Sequence, residues 1–501
     1  MGLAILRSRA QIGVEAPPVT IEVFLSGGLP KFNIVGLAET AVRESKDRVF
    51  GAIKNSGFNF PQERITANLG PADMKKTGGR FDLPIALGIL AASRQLPVQF
   101  LAGFEFYGEL ALNGDLRPVP GILPAAIKAA QLDRPIVVPR ANGMEGSLAE
   151  GRVHVAGSLL EVTELLRDGG EPLPAARVDA GPGLSGAGDL SDVRGQARAR
   201  RALEVAAAGG HNLLFIGPPG TGKSMLAQRL PGLLPPLASP EALETAAVNS
   251  VLGLPLVLEH FHRRPFRAPH HTASAAALIG GGQEPRPGEV SRAHNGVLFL
   301  DELAEFNRHV LEVLREPLES GRITISRALG QADFPAKFQL VTAMNPCPCG
   351  YSGDRQGDCR CSIEAVRRYR GKISGPLLDR IDIHVEVARP APELLRPDAP
   401  ASESSAAVAA RVAVARNRQL ERCGRINAEL TGDLLDRYLD AEPECFRLLE
   451  RATAKLAFSA RAYQRVQRVG RTIADLAGDT RVLPEHVAEA LALRHLDRGS
   501  K

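Results

Sequence analysis

The segment at residues 213–230 constrains the fold of this chain more than any other part of its 501 residues. It reads LLFIGPPGTGKSMLAQRL, so that an apolar run precedes a glycine-rich loop and a helical pattern follows it. A strand, a loop of this composition and a helix, in that order, are the context of a phosphate-binding loop. Its backbone N–H groups and the N-terminus of the following helix bind phosphate groups. We therefore predict an α/β domain with a nucleotide site.

The predicted nucleotide site assigns separate tasks to the loop residues. Lys223 supplies a positive charge to the β- and γ-phosphates of ATP, and Ser224 offers a hydroxyl to Mg²⁺. The backbone of the remaining loop residues surrounds the phosphates: Gly217, Pro218, Pro219, Gly220, Thr221 and Gly222. The alternative is a glycine-rich turn with a purely structural role.

A second motif, NGVLFLDELAEF, is an apolar strand that ends at Asp301 and Glu302. Such a pair often only begins a solvated loop. Downstream of a phosphate-binding loop, however, the first carboxylate can hold Mg²⁺ and the second can take a proton from attacking water. We expect Asp301 to be a Mg²⁺ ligand and Glu302 to be the catalytic base.

The chain is too long for one hydrophobic core, so we expect several domains. Residues 1–168 alternate β-rich runs with helical patterns, and 189–387 do so again, which predicts two α/β domains. The segments at 169–188 and 388–405 are rich in Pro with Gly or Ser and predict linkers. Residues 406–501 contain helical patterns only.

Charge and hydropathy exclude some classes of protein. The 61 Lys and Arg residues and 56 Asp and Glu residues give a net charge of only +5. This charge is compatible with a nucleic acid partner but does not indicate one. The longest apolar run, FDLPIALGILAAS, is too short to cross a bilayer. With no export signal at the front, we expect a soluble, cytoplasmic protein that does not bind membranes.

Four of the six cysteines lie in MNPCPCGYSGDRQGDCRCS, at Cys347, Cys349, Cys359 and Cys361. Two C-x-C pairs can supply four thiolates to one tetrahedral ion, and Zn²⁺ suits a closed site of this kind. We predict a structural Zn²⁺; reduced thiols and a redox function are the alternatives.

These motifs resemble the AAA+ ATPases, in particular the ComM/YifB family of the magnesium-chelatase-like branch. The stretches FRAPHHTAS, MNPCPC and ISGPLLDRIDIHVEV look like its signatures, as does the front segment FNIVGLAETAVRESKDRVFGAIKNSG. The resemblance covers nearly the whole chain. It implies a homo-hexameric ring that uses ATP to move single-stranded and branched DNA, in the branch migration of recombination intermediates during natural transformation.

The same resemblance implies roles for three further residues. Asn345, at the end of FQLVTAMN, matches the sensor that orients water beside the base. Arg380 in LLDRID matches the arginine finger that acts on the neighbouring subunit's site, and Arg461 matches the arginine of the helical lid that contacts the γ-phosphate. Without the resemblance, either arginine would be read as a solvated surface residue.

The 44 residues from Asp301 to Asn345 exceed what one helix and one strand need. GRITISRALGQADFPAKFQLV fills the excess with two alternating runs around RALGQ, which predicts a hairpin. In the resembled family such a hairpin projects into the ring's pore, so Arg327 and Lys337 become candidate DNA contacts; a solvated hairpin is the alternative. Adjacent His270 and His271 are not expected to share a metal ion.

The front domain resembles the Lon-protease type, an α/β fold similar to ribosomal protein S5. Where that family has its serine motif, this chain has Arg80, Phe81 and Asp82, and Leu123 takes the place of the catalytic lysine. Without nucleophile and base we expect no peptidase activity. This disfavours an ATP-dependent protease. A magnesium-chelatase-type ATPase subunit that remodels a partner enzyme is the second reading.

Overall fold

A computed structural model of the chain shows two compact units. It describes residues 2–36, 42, 44–168, 171–174, 176, 188–282, 285–327, 330–354, 357–396, 402–456 and 458–494. The first unit comprises Met1–Asp179, Ser239–Phe261 and Ser326–Phe334, and the second comprises Ala180–Ala238, His262–Ile325 and Pro335–Lys501. The linker predicted at 169–188 lies mostly outside the described residues, and so does 397–401 of the second linker. The domain boundaries stay a prediction.

Both units contain β-strands. They are β1 (Gly2–Arg9), β2 (Pro18–Ser26), β3 (Lys31–Val35), β4 (Arg64–Gly70), β5 (Glu105–Phe106), β6 (Glu109–Leu110), β7 (Leu116–Arg117), β8 (Ile136–Pro139), β9 (Val153–Ala156), β10 (Leu213–Ile216), β11 (Phe266–Arg267), β12 (Gly280–Gly281), β13 (Arg286–Pro287), β14 (Val297–Leu300), β15 (Arg322–Arg327), β16 (Gly330–Pro335), β17 (Gln339–Met344) and β18 (Ile383–Glu386).

Both units also contain α-helices. They are α1 (Ser45–Asn55), α2 (Asp82–Ala92), α3 (Ile122–Ala130), α4 (Gly143–Ser147), α5 (Leu159–Asp168), α6 (Ala197–Gly209), α7 (Lys223–Arg229), α8 (Ser239–Val251), α9 (Ala275–Ile279), α10 (Glu289–Arg292), α11 (Arg308–Glu312), α12 (Arg315–Ser320), α13 (Ile363–Arg370), α14 (Gly375–Leu378), α15 (Ser405–Cys423), α16 (Asp433–Tyr438), α17 (Pro443–Leu456), α18 (Ala460–Ala477) and α19 (Pro484–Ala492).

The first unit is built on a seven-stranded mixed sheet with the order β3-β4-β2-β1-β5-β8-β9. Strand β2 runs antiparallel to β1 and β4, and the other neighbouring pairs are parallel. Alternation along β2 buries Val19, Ile21, Val23 and Leu25 on one face. The wholly buried α2 packs there. Position 88 must be glycine, because an added Cβ would lie 2.5 Å from Val23 Cγ2.

Helix α8 belongs to the first unit although it follows the phosphate-loop helix in sequence. It packs on α3, where Leu123 and Ala246 are buried in one apolar cluster. The Ser250 carbonyl accepts from Gly121 N–H at 2.9 Å, and the Ser250 hydroxyl accepts from Leu123 N–H at 3.3 Å. Leu123 therefore has a packing role in this unit.

The second unit is built on a parallel five-stranded sheet with the order β11-β14-β17-β10-β18. Strands β10, β14 and β17 are buried along their whole length, as expected for a parallel sheet covered on both faces. Helices α15–α19 share its apolar core, so the predicted α/β class and helical C-terminal region are confirmed. Ligands of such sheets bind beyond the carboxyl ends of the strands.

None of the described helices is both long enough and apolar enough to cross a membrane. The cytoplasmic location stays a prediction.

Candidate functional site

The loop between β10 and α7 depends on its glycines. Gly220 and Gly222 have φ of 78° and 88°, in the left-handed region where glycine is not strained. A Cβ on Gly217 would lie 2.1 Å from the Val387 carbonyl oxygen, so the loop also approaches the end of β18 closely. Inside the loop, the Thr221 hydroxyl donates to Pro218 O at 2.9 Å.

Lys223 begins α7 and is only 8% exposed. Its Nζ donates to the Gly217 and Pro218 carbonyls at 2.8 Å and to Asn345 Oδ1 at 3.2 Å. Burial lowers its pKa, and the carboxylates of Asp301 and Glu302 act in the opposite direction. The ends of three neighbouring strands thus bring an ammonium, an amide and two carboxylates together.

The hydroxyl of Ser224 donates to Asp301 Oδ2 at 2.5 Å. The other carboxylate oxygen of Asp301 accepts the Glu302 N–H at 2.9 Å. A hydroxyl and a carboxylate at this separation are the oxygen donors that Mg²⁺ binds beside nucleotide phosphates. The residues present therefore fit the predicted metal.

Asn345 follows β17 and lies near Lys223 and Tyr369. Its side chain contacts Lys223, and its backbone acts on the pKa of the Tyr369 hydroxyl on α13. Burial, with the charges of Glu305 and Glu302, raises the pKa of Tyr369 to about 12, so this hydroxyl stays protonated. No sequence pattern identifies Tyr369, because a tyrosine on an amphipathic helix is interpreted as a packing residue.

The side chain of Glu302 contacts an imidazole that the sequence analysis assigned to no role. His271 Nδ1 lies 3.1 Å from Glu302 Oε2. The rings of His270 and His271 lie 4.1 Å apart, but His270 Nδ1 contacts the Thr272 hydroxyl instead. Within the described residues only the four cysteines form a candidate metal cluster. The motif FRAPHHTAS, which begins in β11 beside the strand of the acidic pair, was the available signal.

The four cysteines converge on one point. The sulfur of Cys347 lies 3.3 Å from that of Cys349 and 3.8 Å from that of Cys359, and Cys349 lies 3.6 Å from Cys359. With Cys361, all four sulfur atoms lie within 4.8 Å of one another. The backbone of Tyr351 and the neighbouring thiols lower the pKa of Cys349 to about 6, whereas the sulfur atoms of Cys349 and Cys347 raise the pKa of Cys361 to about 11. The cluster is compatible with a zinc site.

The cysteine loop lies against the phosphate loop. An added Cβ on Gly350 would lie 2.8 Å from Pro219 Cδ and 3.8 Å from the side chain of Asn345. Gly350 has φ of 87°, and its N–H donates to the Cys347 carbonyl at 3.0 Å. The geometry of the cysteine cluster is therefore coupled by direct packing to the nucleotide site.

Arg380 and Arg461 form a second group. Arg380 is buried and donates to the Glu319 carboxylate and to Pro376 O. Burial lowers its pKa, Glu319 opposes this, and the charges of nearby arginines, including Arg461, lower it further. Arg461 is exposed at the start of α18. The contacts of Arg380 are thus made with α12 and α14.

The two candidate DNA contacts fall in different units. Strands β15 and β16 pair with each other, as the sequence predicts, and exposed Arg327 ends β15. Lys337 lies beyond β16, and its Nζ is 2.5 Å from Glu429 Oε1.

The chain matches three family models along most of its length. They are described as subunit ChlI of Mg-chelatase at residues 21–142, magnesium chelatase subunit ChlI at 189–394, and the C-terminal part of that subunit at 402–494.

Curated relatives extend this similarity over the full length. The competence protein ComM of Haemophilus influenzae is 50% identical over 505 residues, covering 99% of this chain and 98% of ComM. YifB of Escherichia coli is 47% identical over 499 residues, with the same coverage of 99% and 98%. The magnesium-chelatase 38 kDa subunit of Cereibacter sphaeroides is 27% identical over 40% of this chain and 59% of its own length. The chain therefore belongs to the ComM/YifB family of magnesium-chelatase-like AAA+ proteins.

Proposed function

We propose that this protein is an ATP-driven DNA motor that assembles as a homo-hexamer. Its activity would be to unwind DNA and to move the branch points of recombination intermediates during natural transformation. The observation that supports this most is the convergence of Lys223, Ser224, Asp301, Glu302 and Asn345 at one edge of the parallel sheet. The full-length similarity to a competence protein connects such a motor with DNA.

The proposed hydrolysis divides among these residues. Lys223 binds the β- and γ-phosphates, and Ser224 with Asp301 holds Mg²⁺, which neutralises phosphate charge when bound. Glu302 accepts a proton from the attacking water, which Asn345 orients. Ordered positions matter because catalysis of phosphoryl transfer is mostly positioning and charge stabilisation.

We further propose that Arg380 acts on the active site of the neighbouring subunit and that Arg461, in the helical lid, contacts the γ-phosphate. Arg380 contacts α12 and α14, and the charge of Arg461 acts on it. A ring would place the charge of Arg380 against a neighbour's phosphates, where an arginine stabilises the charge of the transition state.

Arg327 is the stronger candidate for contact with DNA. It is exposed at the end of β15, whereas Lys337 forms an ion pair with Glu429. Phosphate contacts by such residues bind with little regard to sequence and weaken as salt rises.

The test separates ATP hydrolysis from DNA binding. Glu302→Gln should bind ATP and DNA but fail to move a Holliday-type or forked junction. Arg327→Ala should hydrolyse ATP with poor DNA stimulation, and Arg322→Ala, an exposed arginine on the same strand, is its matched control. Wild-type rings, verified by light scattering, that show neither DNA-stimulated hydrolysis nor junction movement at low salt would refute the proposal.

The second candidate is a magnesium-chelatase-type ATPase subunit that remodels a partner enzyme. The three ChlI family matches favour it. Stimulation of ATP hydrolysis by such a partner, without stimulation by DNA, would select this function.

We also propose that the four cysteines hold one structural Zn²⁺. Tetrahedral bonds of about 2.3 Å place thiolates about 3.8 Å apart, close to the three distances above, whereas a disulfide needs about 2.0 Å. The Ser352 N–H also donates to Cys347 Sγ at 3.3 Å, a contact that is compatible with a metal-bound sulfur. Protein purified without added metal should contain about one equivalent of zinc. Less than a tenth of that in folded, active protein would favour reduced thiols or a redox function.

For residues 1–168 we propose a Lon-protease-like fold without a catalytic dyad. Arg80 and Asp82 are buried in hydrogen-bonded contacts, Arg80 with Gln11 Oε1 at 3.0 Å and Asp82 with Arg48 Nε at 2.6 Å. With Leu123 in an apolar cluster, these positions stabilise the fold.

A further inference from the structure

An imidazole contacts the carboxylate that hydrolysis is proposed to use as its base. His271 Nδ1 lies 3.1 Å from Glu302 Oε2, and both residues belong to the second unit. His271 comes from the loop between β11 and α9, and Glu302 comes from the end of β14. Strands β11 and β14 are parallel neighbours, so the sheet itself places the two loops at the same edge.

Glu302 needs an external partner to hold its side chain. Its backbone lies in the left-handed region, with φ 52° and ψ 47°, and its N–H donates to Asp301. This positions the main chain, but the Glu302 side chain is 53% exposed. A half-exposed carboxylate on three rotatable bonds can occupy several staggered rotamers. Contact with the imidazole restricts the carboxylate to fewer of them.

The imidazole of His271 is itself held. The ring of His270 lies 4.1 Å away with 33° between the planes, and the ring of Phe306 lies edge-on at 6.5 Å. His270 is in turn fixed by the Thr272 hydroxyl at 2.8 Å. The side chain of His271 is only 31% exposed, so neighbouring side chains limit its rotation.

We propose that His271 is a positioning residue for Glu302. The ring of His271, with Nδ1 3.1 Å from Oε2, directs the other carboxylate oxygen of Glu302 toward the attacking water. Its contribution is to the geometry of proton abstraction, because a base aligned before the reaction lowers the barrier. The inference rests on the proposed ATP hydrolysis with Glu302 as base. The inference adds His271, from the motif FRAPHHTAS, to the proposed site of ATP hydrolysis.

The test measures ATP hydrolysis by His271→Ala, His271→Asn and the exposed-histidine control His309→Ala. His271→Ala should lower kcat about tenfold and leave KM for ATP unchanged, since the imidazole acts on the base and not on the phosphate loop. His271→Asn, which keeps an N–H donor, should recover most of kcat. His309→Ala should behave as wild type.

A second background distinguishes positioning from a general structural effect. In Glu302→Gln the base is absent, so adding His271→Ala should cause no further loss in single-turnover hydrolysis; effects of residues that act through one another are not additive. An unchanged kcat in His271→Ala, a change confined to KM, or an equal loss in both backgrounds would overturn the inference. Wild-type activity of Glu302→Gln would instead reject Glu302 as the base, and the positioning role with it.

Discussion

Replacing His384 should make the second unit less sensitive to acid. His384 lies on β18 and is 1% exposed. Burial lowers its pKa well below the ordinary value of 6.5, and the positive charges of Arg494 and Arg465 add to this. The carboxylate of Asp382 acts in the opposite direction. The substitution His384→Leu replaces the titrating ring with an apolar side chain of similar size.

The magnitude follows from proton linkage. A histidine with a depressed pKa in the folded state binds its proton more readily in the unfolded chain, so stability is present above pH 6.5 and is lost as pH falls. At pH 5.5, one unit below the unfolded pKa, the loss is about RT ln 11, or about 1.4 kcal/mol, provided that the folded pKa lies lower still. For a unit of this size, that lowers Tm by about 3 °C.

The assay compares Tm at pH 7.5 and pH 5.5 by circular dichroism for wild type, His384→Leu and the exposed control His309→Leu. Other groups titrate equally in all three proteins, so the difference between them isolates His384. The fall in Tm should be smaller by about 3 °C in His384→Leu and unchanged in His309→Leu. Equal falls in wild type and His384→Leu would refute the argument that His384 is buried without a proton.

Three further predictions concern the nucleotide site and the first unit. Gly350→Ala should weaken binding of a fluorescent ATP analogue, because its Cβ would lie 2.8 Å from the phosphate loop; Gly353→Ala, with φ of 80° and open space around its Cβ, is the control and should bind normally. Arg380→Ala should keep ATP binding but lose hydrolysis by about 10³. Mixing it with Lys223→Ala should restore some activity, and mixed rings without recovery would contradict shared sites. Casein incubated with the protein and ATP should stay intact on a gel; ATP-dependent cleavage would contradict the missing dyad.

Several features follow from the sequence because they are local. The phosphate loop, the acidic pair and the cysteine pairs each occupy a short segment whose flanks specify a strand, a loop or a helix. Gly222, for example, has the left-handed backbone that glycine adopts without strain in such a loop. The hairpin of β15 and β16 likewise follows from two alternating runs around a turn.

Other features were decided only by the tertiary structure, because their partners are distant in the chain. Neither His271 nor Tyr369 belongs to a pattern that requires a catalytic neighbour, and each gains its contact from sheet order and packing. Helix α8 also looks like part of the nucleotide domain, yet it completes an apolar cluster in the first unit. An amphipathic helix needs an apolar surface, but its sequence does not specify which surface covers it. Local sequence determined which groups can react, and long-range packing determined which groups hold them in position.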